Sequence, residues 1–287
     1  MLTRSRMIWP SSDPLARVTP RRVLALPHGT ATMLRAFHYG FLVLILMVSL
    51  VPEQVQASDS EPSGLTVEVE TGGLWFSRNR ARIPSDTGTT VDLRDLTGSG
   101  GDPYVRLYVG YEFNERHSVR LNLTPVRETG TGTLDREVEF DGETFEADTP
   151  TRASYKFNTY RLTYRWMFHR DADWDLGVGG ALLVRDAHIE LRQDDVRARS
   201  EDLGFVPLLH LYGAYHWTDR TSLVLDLEGA AAPQGRALDL AVQVRHALPS
   251  GWQVFGGYRT LEGGADNSSV YTFAWLHHAS VGIGYRF

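Results

Sequence analysis

The residues of this sequence that could take part in chemistry are few and widely spaced. Asp186 and His188 are separated by a single residue, so the carboxylate could orient the imidazole as a base that activates water. His210, His216 and Glu228 could approach one another inside a closed fold, but their spacing carries no metal-binding signature. Hydrogen bonding within a polar interior is the expected role of these three side chains. Neither a metal ion nor another cofactor is expected.

A larger group of polar residues shares one parity of the predicted strands and contains as many acids as arginines. Buried charges are costly unless they are paired, so equal numbers favour ion pairs between strands. We predict a charge network that fills the interior of a narrow barrel, with a narrow polar passage as the alternative. The members of the predicted network are Glu68, Glu70, Arg106, Glu112, Arg120, Arg161, Arg165, Asp175, Arg185, Asp226, Glu228, Asp239, Arg245 and Arg259.

The final segment, 271–287, determines the fold class. Counting back by twos from Phe287 to Phe273, every residue is apolar or aromatic apart from His277, whereas the other parity from Arg286 back to His278 is small or polar. Alternation with a period of two is typical of a β-strand with one apolar face. A strand that crosses a bilayer needs about ten residues and aromatic girdles at both interfaces. The segment is therefore predicted to be a membrane-spanning strand.

Similar alternation recurs through the chain and predicts an all-β protein, a transmembrane antiparallel up-and-down β-barrel of about ten strands, with eight or twelve as alternatives. Short connections alternate with longer ones, as in barrels with short periplasmic turns and longer outer loops. Aromatic residues gather at the short-turn end, where a periplasmic girdle is expected: Phe113, Trp166, Phe168, Trp174, Trp217 and Trp252. The predicted strands are 65–77, 102–114, 117–128, 153–168, 173–191, 203–217, 221–231, 236–248, 251–262 and 270–287.

Residues 1–57 are predicted to lie outside the mature domain. The basic start after Met33, the apolar run 41–51 and the small residues Val55 and Ala57 are typical of a secretory signal peptide, placed at about 33–57. The barrel domain is then 58–287. Six of the 29 basic and two of the 35 acidic side chains fall in 1–57, so the domain carries a net charge of about −10 with histidine neutral, which argues against a nucleic-acid partner. The absence of cysteine excludes disulfides and thiol chemistry.

From the first predicted strand to Phe287, the layout resembles small Gram-negative outer-membrane barrels of the OmpA/OmpX type. That resemblance implies residence in the outer membrane after export. It also implies that the closing strand, with Tyr285 and Phe287, is read by the barrel-assembly machinery. Five strings are similar to a group of uncharacterised proteobacterial outer-membrane barrels: RIPSDTGT at 82–89, YKFNTYRLTYR at 155–165, RDAHIEL at 185–191, AAPQGRA at 231–237 and GYRTLEGGADN at 257–267. This second resemblance implies no activity.

Two motifs resemble those of hydrolases embedded in the outer membrane. Asp186-Ala187-His188 resembles the Asp-x-His pair of omptin proteases, but its parity points both side chains away from the lumen, whereas omptins line an inner cleft. His278-Ala279-Ser280 is similar to the His-x-Ser of lipid A 3-O-deacylases. No acid follows it, and its parity directs both side chains into the lumen, away from lipid. We therefore expect no catalytic residue and no enzymatic activity, with an omptin-like surface protease or a lipid A-modifying hydrolase as the alternative.

Two long connections call for separate interpretations. Residues 136–148 contain two short alternating runs around Asp141-Gly142, a strong hairpin signal. They predict an acidic hairpin that protrudes from the membrane. Residues 78–101 contain Pro84, Gly88 and the run 98–101, which predict an irregular, mobile loop.

The function expected from the sequence is that of a monomeric outer-membrane barrel with a largely plugged lumen and a structural or surface-interaction role. A narrow pore for ions or small solutes is the alternative. The expected partners are outer-membrane lipid, lipopolysaccharide and the barrel-assembly machinery. The acidic hairpin is predicted to contact lipopolysaccharide through basic groups or divalent cations.

Overall fold

The computed structural model describes residues 64–287, so the predicted signal peptide lies outside the described residues. Ten wall strands form one antiparallel sheet, which closes because the last strand pairs with the first as well as with its sequence neighbour. The predicted fold class and strand number are confirmed. No helix in residues 64–287 is both long and apolar enough to cross a membrane.

Several short elements accompany the wall strands. In chain order the elements are β1 (Gly64–Arg82), β2 (Val91–Asp92), α1 (Arg94–Thr97), β3 (Gly100–Glu112), β4 (His117–Thr124), β5 (Arg127–Thr133), β6 (Val138–Phe140), β7 (Glu143–Phe145), β8 (Pro150–Arg170), β9 (Trp174–Gln193), β10 (Val196–Thr218), β11 (Thr221–Ala232), β12 (Gly235–Ala247), a single helical turn (Pro249–Gly251), β13 (Trp252–Asp266) and β14 (Tyr271–Arg286).

The third wall strand consists of two pieces, β4 and β5. Both pieces pair antiparallel with β8. Pro125 stands at the break between them. Because proline has no N–H, it cannot donate to the ladder of hydrogen bonds, so the strand is interrupted there.

The first and last strands of the sheet pair with each other, as the sequence of the final strand predicted. β1 and β14 pair from Thr66 and Arg286 to Arg82 and Tyr271. The pairing extends to the final residue, because the N–H of Phe287 donates to the carbonyl of Leu65 at 2.9 Å. In a bilayer, every backbone polar group must be paired within the protein. Closure of the sheet satisfies this requirement at its edges.

The outer wall of the barrel is rich in exposed apolar side chains. Such side chains come from β1, β3, β8, β9, β10, β11, β12, β13 and β14. A wall of this composition suits hydrocarbon, with aromatic side chains at the interfaces. The six aromatic residues predicted for the periplasmic girdle are all exposed: Phe113, Trp166, Phe168, Trp174, Trp217 and Trp252. We call their end of the barrel, which also carries Gly64 and Phe287, the periplasmic end, and the opposite one the extracellular end.

Strands β9 and β10 run further at the extracellular end than predicted. The sequence indicated a loop at 192–202, whereas the two strands stay paired as far as Gln193 and Val196. Leu191 and Ala198 form a cross-strand pair within this extension, and both are buried. Inward and outward side chains therefore keep alternating through this segment. Its charged residues, most of which face outward, had favoured a loop. With β5 and β8, these strands form a wall that rises beyond the girdled part of the barrel.

The extracellular half of the lumen is filled by a hydrophobic core. Inward-facing residues of the wall pack there against residues of the two long connections. The sequence predicted a polar lumen throughout and did not predict this apolar part. The buried members of the core are Leu74, Phe76, Ala81, Ile83, Val91, Leu93, Leu96, Tyr104, Val126, Leu134, Val138, Phe140, Phe145, Ala153, Tyr155, Ile189, Leu191, Ala198, Leu261 and Leu276.

The connection between β1 and β3 is ordered, which corrects the prediction of an irregular loop. β1 extends to Arg82 and pairs with the short strand β2, and α1 follows. Val91, Leu93 and Leu96 are buried in the core, and the N–H of Leu93 donates to the carbonyl of Asn79 at 2.7 Å. The glycines and the proline in this stretch turn the chain back over the mouth of the barrel.

The predicted hairpin is present in 136–148, but it does not protrude as predicted. β6 and β7 form a two-stranded sheet around Asp141 and Gly142, whose φ angles of 52° and 84° fit the tight turn expected for this dipeptide. Val138, Phe140 and Phe145 on one face are buried in the core. The hairpin therefore covers the extracellular mouth.

The acidic side chains of the hairpin lie on its other side. Period-two alternation gives the two faces opposite chemistry, one apolar and one charged. The acids alone predicted a projection, whereas Phe140 and Phe145 between them give the hairpin an apolar face. The exposed acids are Glu137, Glu139, Asp141, Glu143, Glu146 and Asp148.

Phe140 is fully buried, so Phe140→Ala should destabilise the folded barrel by about 3 kcal/mol, through lost burial and a cavity. The free energy of unfolding can be measured by urea titration of detergent-folded protein, followed by tryptophan fluorescence. Glu139→Ala, on the exposed face of the same strand, is the matched control and should change stability by no more than about 0.5 kcal/mol. Equal effects of the two variants would contradict the inward packing of the hairpin.

Candidate functional site: the lumen and the outer wall

The periplasmic half of the lumen is crossed by ion pairs between strands that are not neighbours in the sheet. Five acids and five arginines of the predicted network make these contacts, on β1, β3, β4, β8, β11, β12 and β13. The cross-lumen members are Glu68, Glu70, Asp226, Glu228, Asp239, Arg106, Arg120, Arg161, Arg245 and Arg259.

Asp239 of β12 is the centre of this network. Its carboxylate accepts hydrogen bonds from Arg259 on the adjacent β13 at 2.6 Å, from Arg161 on β8 at 2.9 Å and from Arg106 on β3 at 3.3 Å. All four side chains are at most 6 % exposed. One carboxylate therefore joins four strands, two of them on the far side of the barrel.

A second cluster lies around two acids of β11. Asp226 and Glu228 both accept hydrogen bonds from Arg120 of β4, at 2.5 and 3.4 Å. Glu228 also accepts from Arg161, which connects the cluster to Asp239, and from the hydroxyl of Thr163 at 2.6 Å. Since β4 and β8 face β11 across the lumen, these contacts span its width.

The acid Glu70 of β1 is held mainly by neutral donors that the sequence analysis did not include. Tyr104 and Tyr108 donate their hydroxyls to its carboxylate at 2.9 and 3.4 Å, and the amide of Gln243 donates at 2.9 Å. Arg259 lies at 3.5 Å. Tyrosine and glutamine carry no charge, so a count of acids and bases could not reveal them.

Nearby, Glu68 shows the same combination of donors. Arg245 of β12 forms two hydrogen bonds with its carboxylate, at 2.7 and 3.1 Å, and Gln253 of β13 donates to it at 2.7 Å. Charge and hydrogen bonding are thus satisfied together, which buried ionised groups require.

Glu112 and Asp175 of the predicted network lie near the periplasmic end. Glu112 pairs with Arg286 of the closing strand at 2.6 Å. Asp175 pairs with Arg170 at 3.1 Å and lies 3.3 Å from His216. His216 is therefore not part of the cluster with Glu228 that the sequence suggested. These residues form local contacts and do not cross the lumen.

The other two predicted members, Arg185 and Arg165, also stay outside the cross-lumen network. Arg185 pairs with Asp202 on the adjacent β10, and Asp202 is largely exposed. Arg165 stacks on the ring of Tyr212, with its guanidinium carbon 4.1 Å from the ring centroid. Parity predicts which way these side chains point, but not which partner they meet.

His210, Asp226 and Glu228 come close enough together to resemble a metal site. Nδ1 of His210 lies 3.7 Å from Asp226 and 3.6 Å from Glu228, and the imidazole is 1 % exposed. Both carboxylates, however, are already bound by Arg120 and Arg161. A divalent cation would have to compete with these arginines, so the cluster fits an internal polar network better than a metal centre.

The Asp186–His188 motif does not form a catalytic pair. Both residues face the outer wall of the extracellular extension, as their parity predicts. Asp186 accepts hydrogen bonds from Lys156 at 2.6 and 2.7 Å. Burial, together with Arg199, Arg127 and Lys156, lowers the pKa of His188. The aspartate is thus engaged by a lysine instead of orienting the imidazole.

The two residues of the His278–Ser280 motif lie inside the barrel, with side chains 1 % and 4 % exposed. His278 packs edge-on against Tyr104, with ring centroids 4.6 Å apart. The adjacent residue, His277, points the other way and lies on the outer wall, where its Nε2 is 2.7 Å from the hydroxyl of Ser77. The two partners are 200 residues apart in sequence, so no local motif could reveal this contact.

An acid pair lies at the extracellular side of the barrel, in the wall beyond the girdled part. Glu128 of β5 is buried, and burial raises its pKa to about 8, with further contributions from a hydrogen bond to Asp102 and from the charge of that residue. Two carboxyl groups in contact favour retention of a proton. Glu128 therefore binds its proton more tightly than an exposed glutamate does.

Comparison with known proteins supports the fold. No family model and no curated protein matches the sequence. The outer membrane protease OmpT from Escherichia coli matches with a TM-score of 0.51 and 10% identity, over 80% of this chain and 100% of that one. Ail of Yersinia pestis, solved with the heparin analogue sucrose octasulfate, has a TM-score of 0.38 and 11% identity over 79% and 100%. Neisserial surface protein A has a TM-score of 0.35 and 11% identity over 79% and 100%.

At this level of identity, the similarity to OmpT shows a shared barrel fold and does not extend to proteolysis. The chain has the fold of Gram-negative outer-membrane β-barrels, as the sequence predicted. The predicted location in the outer membrane agrees with this fold and with the apolar outer wall.

Asp239→Asn should destabilise the barrel by about 3–5 kcal/mol, because it leaves Arg106, Arg161 and Arg259 buried without the carboxylate they share. Arg161→Ala should act in the same direction. Urea unfolding in detergent measures the change. Asp202→Asn is the control, since this residue pairs with Arg185 but is 55% exposed, and it should cost less than about 1 kcal/mol. Tolerance of Asp239→Asn comparable to the control would contradict a buried network.

The raised pKa of Glu128 predicts that stability falls as the pH rises from about 4.5 to about 8. The folded barrel binds the proton more tightly than the unfolded chain, whose glutamate has a pKa near 4.5. This contribution is complete below about pH 4.5 and is lost as the pH rises through about 8. Urea unfolding measured from about pH 5 to about pH 9 should show the free energy of unfolding falling in wild type and changing much less in Glu128→Gln. Glu143→Gln, on the exposed face of the hairpin, should retain the wild-type fall, and identical profiles for all three proteins would refute the assignment.

Proposed function

We propose that this chain is a monomeric, closed outer-membrane barrel that acts through its surface and does not conduct solutes. The observation that supports this most strongly is the network around Asp239, which joins β12 to β3 and β8 across the lumen. A solute that passed through would have to separate buried ion pairs, at a cost of several kcal/mol for each uncompensated charge.

A second barrier lies above the network. Phe140, Phe145 and Leu93 come from the two long connections and are fully buried at the extracellular end. An ion that crossed this layer would lose its hydration without gaining polar contacts. The charged and apolar layers thus oppose conduction for different physical reasons.

At the periplasmic end, a cavity of about 70 Å³ reaches Arg165 and Tyr212, and a larger one lies beside it. The larger cavity has a volume of about 250 Å³ and is lined by Glu112, Glu115, Arg170 and Arg286. Its lining residues belong to the rim contacts described above. It therefore adds no path through the network.

We further propose lipopolysaccharide as a partner, with the contact placed on the outer wall as well as on the acidic hairpin. Arg152 and Arg197 lie on either side of Arg192 in the sheet register, so three exposed arginines from β8, β9 and β10 stand side by side. Exposed Arg127 lies beside Lys156. Arginine binds phosphate in a bidentate manner. The wall is thus better suited than the acidic hairpin to direct contact with lipid phosphates.

The proposed assembly signal lies at the periplasmic end. Tyr285 and Phe287 pack edge-on with ring centroids 4.7 Å apart, and Trp252 lies 4.9 Å from Tyr285. Phe287 is 47 % exposed. An exposed terminal aromatic next to the seam is suited to recognition by the assembly machinery before the strand is paired.

Purified protein reconstituted in planar bilayers should produce no steady conductance, because the network and the core close the lumen. The measurement is single-channel current under an applied voltage, with heat-modifiable migration on a denaturing gel as the check that the barrel is folded. A general porin reconstituted in the same way serves as the positive control. Steady open-channel currents of porin size from the folded barrel would overturn the proposal and favour the narrow pore.

A further inference from the structure

Three side chains from three neighbouring strands meet on the outer wall at the seam of the barrel. The hydroxyl of Ser77 on β1 lies 2.7 Å from Nε2 of His277 on β14 and 3.5 Å from the carbonyl oxygen of Trp275. On the other side of the imidazole, Nδ1 lies 2.5 Å from the hydroxyl of Tyr258 on β13. In the tautomer with the proton on Nδ1, the imidazole donates to the tyrosine oxygen and Nε2 accepts from the serine. The serine thus faces a base, and the base is oriented by a third group, which is the arrangement of an activated nucleophile.

A β-bulge places the serine there. The register between β1 and β14 shifts between Phe76 and Arg78, so Ser77 is the extra residue. Phe76 and Asn79 are buried inside, at 2 % and 1 % exposure, which leaves both intervening side chains on the outer side. Arg94 donates to the carbonyl of Ser77 at 2.7 Å and ties the bulge to the extracellular connection. Bulges of this kind redirect side chains and are frequent beside active sites.

Aromatic side chains hold the imidazole from several sides. Trp75 stacks on His277 with ring centroids 5.6 Å apart, and Trp275 lies at 5.5 Å. The indole N–H of Trp275 donates to Thr260 at 2.7 Å, which fixes that ring. The serine–histidine contact is therefore built into a packed cluster on the wall, although Ser77 itself is exposed.

The depth of this cluster identifies the kind of molecule that can reach it. Exposed Val281 and Ile283 lie on the periplasmic side of His277 along β14, on the face that meets hydrocarbon. Tryptophan and tyrosine rings prefer the boundary between acyl chains and headgroups. The ester bonds of membrane lipids lie at the same boundary, because they join the acyl chains to the polar headgroup.

Cations lie directly above the pair. The guanidinium carbons of Arg78 and Arg236 lie 4.6 and 4.7 Å from the centroid of the same ring, Phe273, on the outer wall. Arg236 pairs with Glu262 at 2.6 Å, so Arg78 is the cation at this level that suits an anionic headgroup such as a phosphate. A lipid bound there would place its headgroup beside Arg78 and its ester bonds near Ser77.

We propose that Ser77 and His277 form a nucleophile–base pair that cleaves an acyl ester of an anionic lipid in the outer leaflet. The Oγ of Ser77 attacks the ester carbonyl carbon while its proton passes to Nε2 of His277. The tetrahedral intermediate expels the lipid alkoxide, which takes that proton from His277 and leaves an acyl-serine. Water then attacks the acyl-serine, with His277 again accepting and returning the proton, and releases a free fatty acid and the original serine.

This proposal goes beyond a closed barrel that acts through its surface, and it departs from the expectation of a non-enzymatic protein. That expectation rested on parity, which directs His278 and Ser280 into the lumen and Asp186 and His188 away from it. The histidine that faces the bilayer is His277, next to His278 in the sequence. Its serine, Ser77, lies 200 residues earlier in the chain, on the first strand.

The test uses detergent-folded protein treated with a long-chain alkyl fluorophosphonate, with the modified residue located by mass spectrometry. The wild-type barrel should be labelled at Ser77, and Ser77→Ala should not be labelled there. His277→Asn should slow labelling by about 100-fold or more, as expected for loss of a general base. His246→Asn is the matched control, since Nδ1 of this histidine also contacts a hydroxyl, that of Thr221 at 2.9 Å, at the other end of the barrel. It should label as wild type does.

Phosphatidylglycerol vesicles containing the folded protein provide the second readout, with release of free fatty acid as the measured product. Release should be seen with wild type and His246→Asn and lost with Ser77→Ala and His277→Asn, all checked for heat-modifiable migration. Labelling of wild type at Ser77 no faster than at the exposed loop residue Ser268 would overturn the proposal. So would fatty-acid release that is unchanged in both Ser77→Ala and His277→Asn.

Tyr258 is a positioning residue in this scheme, because it acts only through His277. Tyr258→Phe should move the acidic limb of the pH profile for labelling, since the imidazole loses the oxygen that accepts its Nδ1 proton. A uniform loss of rate at every pH would mean that Tyr258 only packs against the ring.

Discussion

The fold depends on the constraint that a bilayer leaves no backbone polar group unpaired. A sheet in hydrocarbon must therefore close, and pairing of β14 with β1 through Phe287 and Leu65 achieves this. Closure directs one side-chain parity to lipid and the other to a narrow interior. The most deeply buried inward charges must then find countercharges across the lumen, as Asp239 does with Arg106 and Arg161. The network is thus a consequence of closure and also a restraint on strand register.

The two halves of the lumen satisfy the same requirement with different chemistry. The lower half neutralises charge with charge and completes the hydrogen bonds with tyrosine and glutamine, as around Glu70. The upper half is apolar and uses the long connections to fill a space that the wall side chains leave open, with Phe140 and Phe145 at its centre. The interior resembles that of a soluble protein at one end and a salt-bridged barrel at the other.

Much of the fold follows from the period-two pattern, because parity alone separates lipid-facing from inward-facing residues. This is why the closing strand, the strand number and the inward side of Arg106 or Asp239 could be predicted. Long-range partners could not be predicted, since which acid meets which arginine depends on tilt and stagger. Charged residues also concealed the extensions of β9 and β10, and the acids of 136–148 concealed the aromatic face of the hairpin. The bulge at Ser77 interrupts parity locally, so the serine–histidine contact left no pattern in the sequence.

The position of that contact on the seam couples it to the order of assembly. Ser77 belongs to the first strand and His277 to the last, and the two approach only when β1 and β14 are paired. In a sheet that has not closed, Ser77 and His277 are apart, even if all the other strands are paired. Any chemistry of the pair is therefore absent from the nascent chain and from every open intermediate, and it arises in the same event that completes the ring. The contact between Ser77 and His277 is therefore a property of the closed barrel alone.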